Sequence, residues 1–321
     1  MPVRDGSFRP ARQIPAAALF AAVALATSCG PKPSADPPPA ASAAVDEDRK
    51  AIEAWRAKHE ADYRRDWVTI AGLHDLRPGP NRAGSAATND VVLPKSLPPS
   101  IGTFSLTGQK VRFEPQRDAA VLLRGQRVSG PTDMKDDGGS GADELTVNDV
   151  RIVIHASGER RSVRVRDPNG DQVRAFLGFK WFPIDMTYRV TGKLIRDAEP
   201  RRVKVINTMG DLDEFLSEGI VEFTFMGQTL RLRPFTTRPK RFYFVFRDAS
   251  SGAETYETAR FLYSDLRDDG TTLLDFNEAY NPPCAFNPYT TCPIPLKENR
   301  LPVKILAGER AYAGNAKAVS P

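Results

Sequence analysis

Apolar and polar positions along the chain follow two periods, and the change between them falls near residue 67. Upstream, in DEDRKAIEAWRAKHEADYRRD (46–66), Ile52, Trp55, His59 and Tyr63 recur every three or four residues in an otherwise charged segment. That spacing predicts an amphipathic helix over 47–66 with one narrow docking face. Its acids sit early and its bases late, as the helix dipole favours. From Trp67 onward the period is two. WVTIAGLHDL, NDVVLP, GTFSLTG, KVRFEP, AAVLLRG, DELTVN, VRIVIHASG and RSVRVRD read as short strands between PGPN, DDGGSG and SGER turns. DPNGDQVRAFLGF interrupts the alternation and suits a short helix. WFPIDMTYRVTGKL, RRVKVINT, GIVEFTF, TLRLRPF, RFYFVFRD, ETARFLY, TTLLDF and LPVKILAG then resume it, and VEFTFMGQTLRLR reads as a hairpin around Met-Gly-Gln. The pattern predicts a mainly β protein: an N-terminal amphipathic helix, then two packed antiparallel β subdomains of sandwich or barrel type over 67–170 and 171–310, and a tail over 311–321.

The first 28 residues belong to a different kind of segment. Arg4, Arg9 and Arg12 precede a short apolar run, AAALFAAVALAT (16–27), too short to span a bilayer and proportioned like a secretory core. The ending ALATSCG resembles the cleavage signal of bacterial lipoproteins, although the usual Leu position holds Ala26, with Leu25 one earlier. The resemblance implies lipidation of Cys29 and, with Gly30 following, an outer-membrane lipoprotein facing the periplasm; without lipidation the protein is secreted. Residues 29–46, rich in Pro and Ala, read as a tether.

Removing residues 1–28 takes away three arginines and one aspartate, so the formal charge of +5 falls to +3. A balance this close to neutral, with no dense basic run, argues against nucleic acid as a partner and leaves the lipid anchor as the membrane contact. With Cys29 assigned to the lipid, Cys284 and Cys292 remain as one pair, expected as a structural disulfide in an oxidising compartment.

Candidate chemistry concentrates in DFNEAYNPPCAFNPYTTCPIPLKENR (275–300) and the segment before it. Period two sets Asp275 and Asn277 on one face of a strand entering a Pro-rich loop. A turn at Asp248 to Gly252, with Ser251, leads into Glu254, Tyr256 and Arg260, which even spacing puts on a neighbouring face. Two readings stay open. In one, Asp248, Ser251, Tyr256, Arg260, Asn277, Tyr280, Asn281, Tyr289 and Asn299 form a polar pocket for a small or glycan-like ligand, with Phe286 on its aromatic rim. There Asp275 and Glu254 are the alternative catalytic carboxylates of a hydrolase. In the other, the same groups hold the backbone of a proline-rich loop in a structural or partner-binding envelope module. His59, His74 and His155 lack metal-ligand spacing, and no Gly-x-Ser-x-Gly elbow, Walker loop or dinucleotide fingerprint appears, so neither a metal nor a cofactor is expected.

Two resemblances add to this reading. LHDLRPGPNRAGSAATNDVVLP with GTFSL, KVRFEP and LLRGQRVSG resembles the start of a forkhead-associated β-sandwich. Ser85 follows Gly84 where an Arg is needed, and LPPSIG replaces the Ser-x-x-His, so only the sandwich geometry is implied, not phosphopeptide binding. DASSGAETYETARFL followed by LLDFNEAYNPPCAFNPYTTCPIPLKENRLPVKILAGE resembles the bacterial and archaeal domain of unknown function family 1684. The likeness runs from about residue 50 to 310 and implies no activity.

Overall fold

The computed structural model describes residues 39–139 and 141–314, with side chains from residue 43 onward. The expected signal segment and Cys29 lie outside the described residues. The first residues of α1 apart, all described structure belongs to the second of two compact units, Ala43–Pro321.

Helix α1 spans Pro39–Tyr63 and so begins inside the expected tether rather than at residue 47. PAASAAV is rich in alanine, the strongest helix former, which explains the longer helix. Its first turn carries no acid and its last no base, so the expected dipole match does not arise. Arg64 and Arg65 fall instead in a π-helical turn over Arg64–Val68. A second helix, α2, is short (Asp171–Ala175) and lies where the alternation lapses.

The rest is mainly β. The first half supplies β1 (Ile70–Asp75), β2 (Gly79–Gly84), β3 (Val91–Val92), β4 (Gly102–Thr107), β5 (Lys110–Pro115), β6 (Leu122–Leu123), β7 (Gln126–Arg127), β8 (Thr132–Met134), β9 (Glu144–Val147), β10 (Val150–Ser157) and β11 (Arg160–Arg166). The second half supplies β12 (Arg189–Ile206), β13 (Leu212–Phe225), β14 (Gln228–Leu232), β15 (Phe235–Arg238), β16 (Arg241–Phe246), β17 (Arg260–Asp265) and β18 (Thr271–Asp275). In the first half a six-stranded sheet, β1-β11-β10-β9-β6-β7, faces a five-stranded one, β3-β2-β4-β5-β8. Their inward residues, among them Phe104, Phe113, Leu145, Ile152 and Val163, share one core, which makes this half a β-sandwich. In the second half a four-stranded sheet, β14-β13-β12-β18, and a three-stranded one, β15-β16-β17, share another core around Phe223, Phe242, Phe244, Phe246, Leu274 and Phe276. Pairing within these sheets is antiparallel except between β2 and β3.

The β13–β14 hairpin closes through two residues, with Phe225 paired to Gln228. Met226 and Gly227 both take positive φ, 49° and 75°, the conformation that matches strand twist in a two-residue turn. A third cluster joins α1 to the body. Trp55, Tyr63, Phe176, Phe179, Trp181, Tyr280 and Phe286 pack there, and His59 lies among the rings, 4.8 Å from Trp55 in a stacked arrangement. Burial lowers the His59 pKa to about 4, so it enters this cluster as a neutral ring.

After β18 the chain is irregular yet buried. LPVKILAG was expected to be a strand, and Leu301, Val303, Ile305 and Ala307 do alternate into the core, but the segment forms no ladder. Residues 299–303 exchange main-chain hydrogen bonds with 247–249, and beyond them the Arg260 guanidinium donates to the carbonyls of Ile305 (2.9 Å) and Ala307. Gly308 lets the chain pass: at φ 77°, a Cβ there would lie 2.2 Å from the Ala279 carbonyl oxygen. Asn299, fully buried, donates to the carbonyls of Arg233 and Val245 and accepts from the Arg233 N–H. Asn299→Ala leaves three buried backbone groups without partners and is expected to cost about 2–4 kcal/mol, read as a lower urea midpoint with an unchanged m-value.

Candidate functional site

The strand expected to carry Asp275 and Asn277 on one face ends at Asp275. There the carboxylate caps a single 3₁₀ turn, Phe276–Glu278, with Oδ1 accepting from the Asn277 N–H at 3.1 Å. Residues three apart eclipse in such a turn, so Glu278 takes the side of Asp275 that period two assigned to Asn277. Asn277 turns inward and is fully buried. Its amide donates to the Asp185 carbonyl and to Asp275 Oδ1, each at 2.9 Å, and accepts from the Asp185 N–H. The Asn277 carbonyl accepts Nε and Nη2 of Arg56, which pins α1 to the turn.

Asp275 and Glu278 border a cleft of about 270 Å³. Asp48, Ala51 and Ile52 of α1 form one wall, Arg189 and Leu273 line β12 and β18, and Arg241, Tyr263 and Arg267 complete it. Arg189 bridges two acids, with Nε 2.9 Å from Asp275 Oδ2 and Nη1 on Asp48. Arg241 pairs with Asp265 at 2.7 Å and lies over the Tyr263 ring, 5.1 Å from its centroid. Burial raises the Asp275 carboxyl above its ordinary range, against its hydrogen bonds from Asn277 and the charge of Arg189. Burial and then the neighbouring Asp275 push Glu278 up to about 7, the arginines opposing. The cleft thus holds a carboxyl that exchanges its proton near neutrality beside a second carboxylate and fixed guanidinium groups.

The other residues expected at a pocket go elsewhere. Asp248 and Arg260 form a buried pair at 2.9 Å, both side chains with no exposure, and Asp248 Oδ1 also accepts from Ser250 and the Ile305 N–H. Residues 252–258 are a turn and bend rather than a strand, so the even spacing of Glu254, Tyr256 and Arg260 does not align them. Glu254 pairs with Lys304 at 2.6 Å, and Asp275 with Arg189, so the Glu254 and Asp275 catalytic pair is not assembled. Ser251 Oγ accepts from the Asp248 N–H. Asn281 donates to the Arg310 carbonyl, and its N–H meets Glu309. Tyr280 and Phe286 belong to the buried aromatic cluster rather than a rim, and Tyr289 is half-buried with its N–H on Asn287. Tyr256 donates its hydroxyl to the Cys284 carbonyl.

The expected disulfide is also absent: Cys284 and Cys292 are free thiols, with the Cys284 N–H 3.4 Å from Cys292 Sγ. Burial raises the Cys292 thiol well above its usual range, which keeps it in the protonated form that does not attack sulfur. Among the described residues no group of three or more His, Cys, Asp or Glu is placed to hold a metal ion. No helix among them is long and apolar enough to cross a membrane.

Residues 174–310 match the family described as "Protein of unknown function (DUF1684)". The match takes in Arg189, Arg241, Tyr263, Arg267, Asp275 and Glu278, whereas the α1 wall of the cleft precedes it. Among solved structures, an uncharacterized protein of Haloarcula marismortui is 28% identical over 45% of this chain and 82% of its own, with a TM-score of 0.38. An FHA domain studied for phosphothreonine-dependent interactions is 14% identical over 30% of this chain and 93% of its own, TM-score 0.21. EmbR of Mycobacterium tuberculosis, in complex with a low affinity phosphopeptide, is 18% identical over 33% of this chain and 27% of its own, TM-score 0.21. Comparison with curated proteins finds no match.

Glu278 is the residue that sequence reasoning passed over, and the Asp-x-Asn-Glu order, with Asp able to cap a turn at once, is the signal that marks it. A second raised carboxyl, Glu309 at about 8, is buried in the protein interior, its Oε2 accepting from the Asn281 N–H. In both, the native state keeps a proton that the unfolded chain, with an ordinary value of 4.5, gives up. Stability from these groups is therefore full below pH 4.5 and falls as pH rises to about 7 for Glu278 and about 8 for Glu309. Glu278→Gln is expected to flatten the fall between pH 5 and 7 by about 1–2 kcal/mol in urea titrations across that range.

Proposed function

We propose that this protein binds a small, polar, glycan-like ligand in the cleft between α1 and the β12, β17 and β18 strands. The observation that supports the reading is Glu278, a carboxyl raised to about 7 that lines a 270 Å³ space together with Asp275, Arg189, Arg241 and Tyr263. Carboxyl, carboxylate and guanidinium groups converging on one small cleft give donors and acceptors for hydroxyls, and the mixed charge favours a neutral or zwitterionic ligand over a strongly charged one. In isothermal titration against an envelope-saccharide panel, Glu278→Gln and Arg189→Ala are expected to weaken binding at least about tenfold. A panel that never binds the wild-type protein removes the reading.

A second reading gives the same carboxyl pair a hydrolytic role. Glu278 still holds much of its proton at neutral pH, as a general acid must, and Asp275 stands beside it as the second carboxyl. Turnover of a saccharide that Glu278→Gln abolishes supports hydrolysis; binding without turnover supports the first reading.

Export and lipid anchoring at Cys29 belong to the proposal, with an outer-membrane lipoprotein facing the periplasm as its form. The support is the apolar run and ALATSCG ending of residues 16–30. Cys29→Ala is expected to move the protein from the membrane to the soluble fraction and to abolish palmitate labelling.

A further inference from the structure

A second constellation lies away from the cleft, where the first-half sheet meets the loop before Cys292. His155 on β10 places Nδ1 3.0 Å from both oxygens of Asp137 and Nε2 3.0 Å from Thr291 Oγ1. The three residues come from segments far apart in the chain. Asp137 follows Lys135 and Asp136, which with Gly139 line a neighbouring cleft of about 470 Å³ that the three relay residues do not themselves line. We propose that Asp137, His155 and Thr291 form a carboxylate, imidazole and hydroxyl relay that hydrolyses small esters through an acyl group carried on Thr291.

The hydrogen bonds fix the roles. Asp137 also accepts from Arg164 Nη1 at 2.7 Å and from the Ala156 N–H at 2.9 Å, so it is held on three sides as an acceptor. Burial works to raise the Asp137 carboxyl, but its hydrogen bond to His155 and the charge of Arg164 leave it below the ordinary range. An ionised Asp137 draws the Nδ1 proton of His155, which leaves Nε2 as the acceptor facing the Thr291 hydroxyl. His155 has 10% side-chain exposure and Thr291 is half-buried, so the base is sheltered. Both sides of Thr291 are clamped. Thr290 Oγ1 donates to the Asn287 carbonyl at 2.9 Å, and the Cys292 N–H donates to Thr208 Oγ1 at 3.1 Å.

In the reaction, Thr291 Oγ1 bonds to the ester carbonyl carbon as His155 Nε2 takes the hydroxyl proton. The bond from that carbon to the alcohol oxygen breaks, and His155 returns the proton to the departing alcohol. Water then attacks the acyl carbon, giving its proton to His155 and on to Thr291, and releases the carboxylic acid. Thr291 is the nucleophile and His155 the base, while Asp137 acts through His155 as a positioning residue.

The test uses the full chain with p-nitrophenyl acetate and a fluorophosphonate probe. Wild-type protein is expected to gain one probe mass, mapped by peptide analysis to Thr291, and to hydrolyse the ester. Thr291→Val and His155→Gln are expected to lower that rate at least about a hundredfold, and Thr291→Ser to retain it. Asp137→Asn is expected to lower the rate and displace its pH profile, because an amide does not select the same imidazole tautomer. Folded wild-type protein that gains no adduct at Thr291 overturns the proposal, as does Thr291→Val with an unchanged rate and a lowered melting temperature. In either case the relay is only a cross-link between the two halves.

Discussion

Residues 276–314 are largely buried with only short 3₁₀ turns and isolated bridges, and each buried peptide group there must find a partner outside a ladder. Prolines at 282, 283, 288, 293 and 295 remove amide donors as well as strand geometry. Side chains therefore do the work of neighbouring strands. Asn299 binds three backbone groups from β14, β15 and β16 surroundings, Asn287 donates to the carbonyls of Trp67 and Ile70, and Asn277 locks the 185 region. Arg260 and Asp248 hold the Ile305 to Ala307 stretch as a buried ion pair whose remaining valences are mostly taken by main chain. A pair of this kind stabilises through its completeness, since either partner alone would leave a charge in the interior.

That constraint also explains where the cleft lies. Asp275 is the last residue of β18, paired there with Arg189, and the first that must cap something else. The same change of backbone geometry that buries Asn277 sends Glu278 outward into a space bounded by α1. Arg189 serves both sides, because its guanidinium joins Asp275 at the strand end to Asp48 on the helix. Ordinary packing of the helix thus furnishes one wall of the cleft, and its two raised carboxyls, Asp275 and Glu278, sit at the boundary between ladder and loop.

Much of the architecture was legible. Alternation located β4, β5, β10, β11, β16 and β18 because each buries one face or both against a sheet partner, and the Met226-Gly227 turn announced its hairpin. The site was legible in place but not in detail. Period two, carried past Asp275, exchanged the positions of Asn277 and Glu278, since nothing in a list of side chains shows that a carboxylate will cap its own turn. Arg260 and Asp248 read as pocket groups or loop supports without identified partners, because those partners, the Ile305 carbonyl and N–H 45 and 57 residues downstream, are invisible to local spacing. His155 looked isolated for the same reason, its two neighbours lying 18 and 136 residues away in the chain. The nearness of Cys284 and Cys292 was legible from their spacing, and the structure sets them side by side as free thiols.

Helix α1 is held to the body by polar and aromatic contacts. It contacts the body through Arg56 on the Asn277 and Phe182 carbonyls, through Asp48 on Arg189, and through the ring cluster around Tyr280. Of these contacts, Asp48 and Arg189 line the cleft, and Arg56 holds the turn that carries Glu278. Tension applied to the chain ahead of residue 48 would therefore be delivered to Arg189 and the Asp275 turn before it reached either β core. Asp48 is the first of these contacts along the chain, so its ion pair with Arg189 would meet that load ahead of the others.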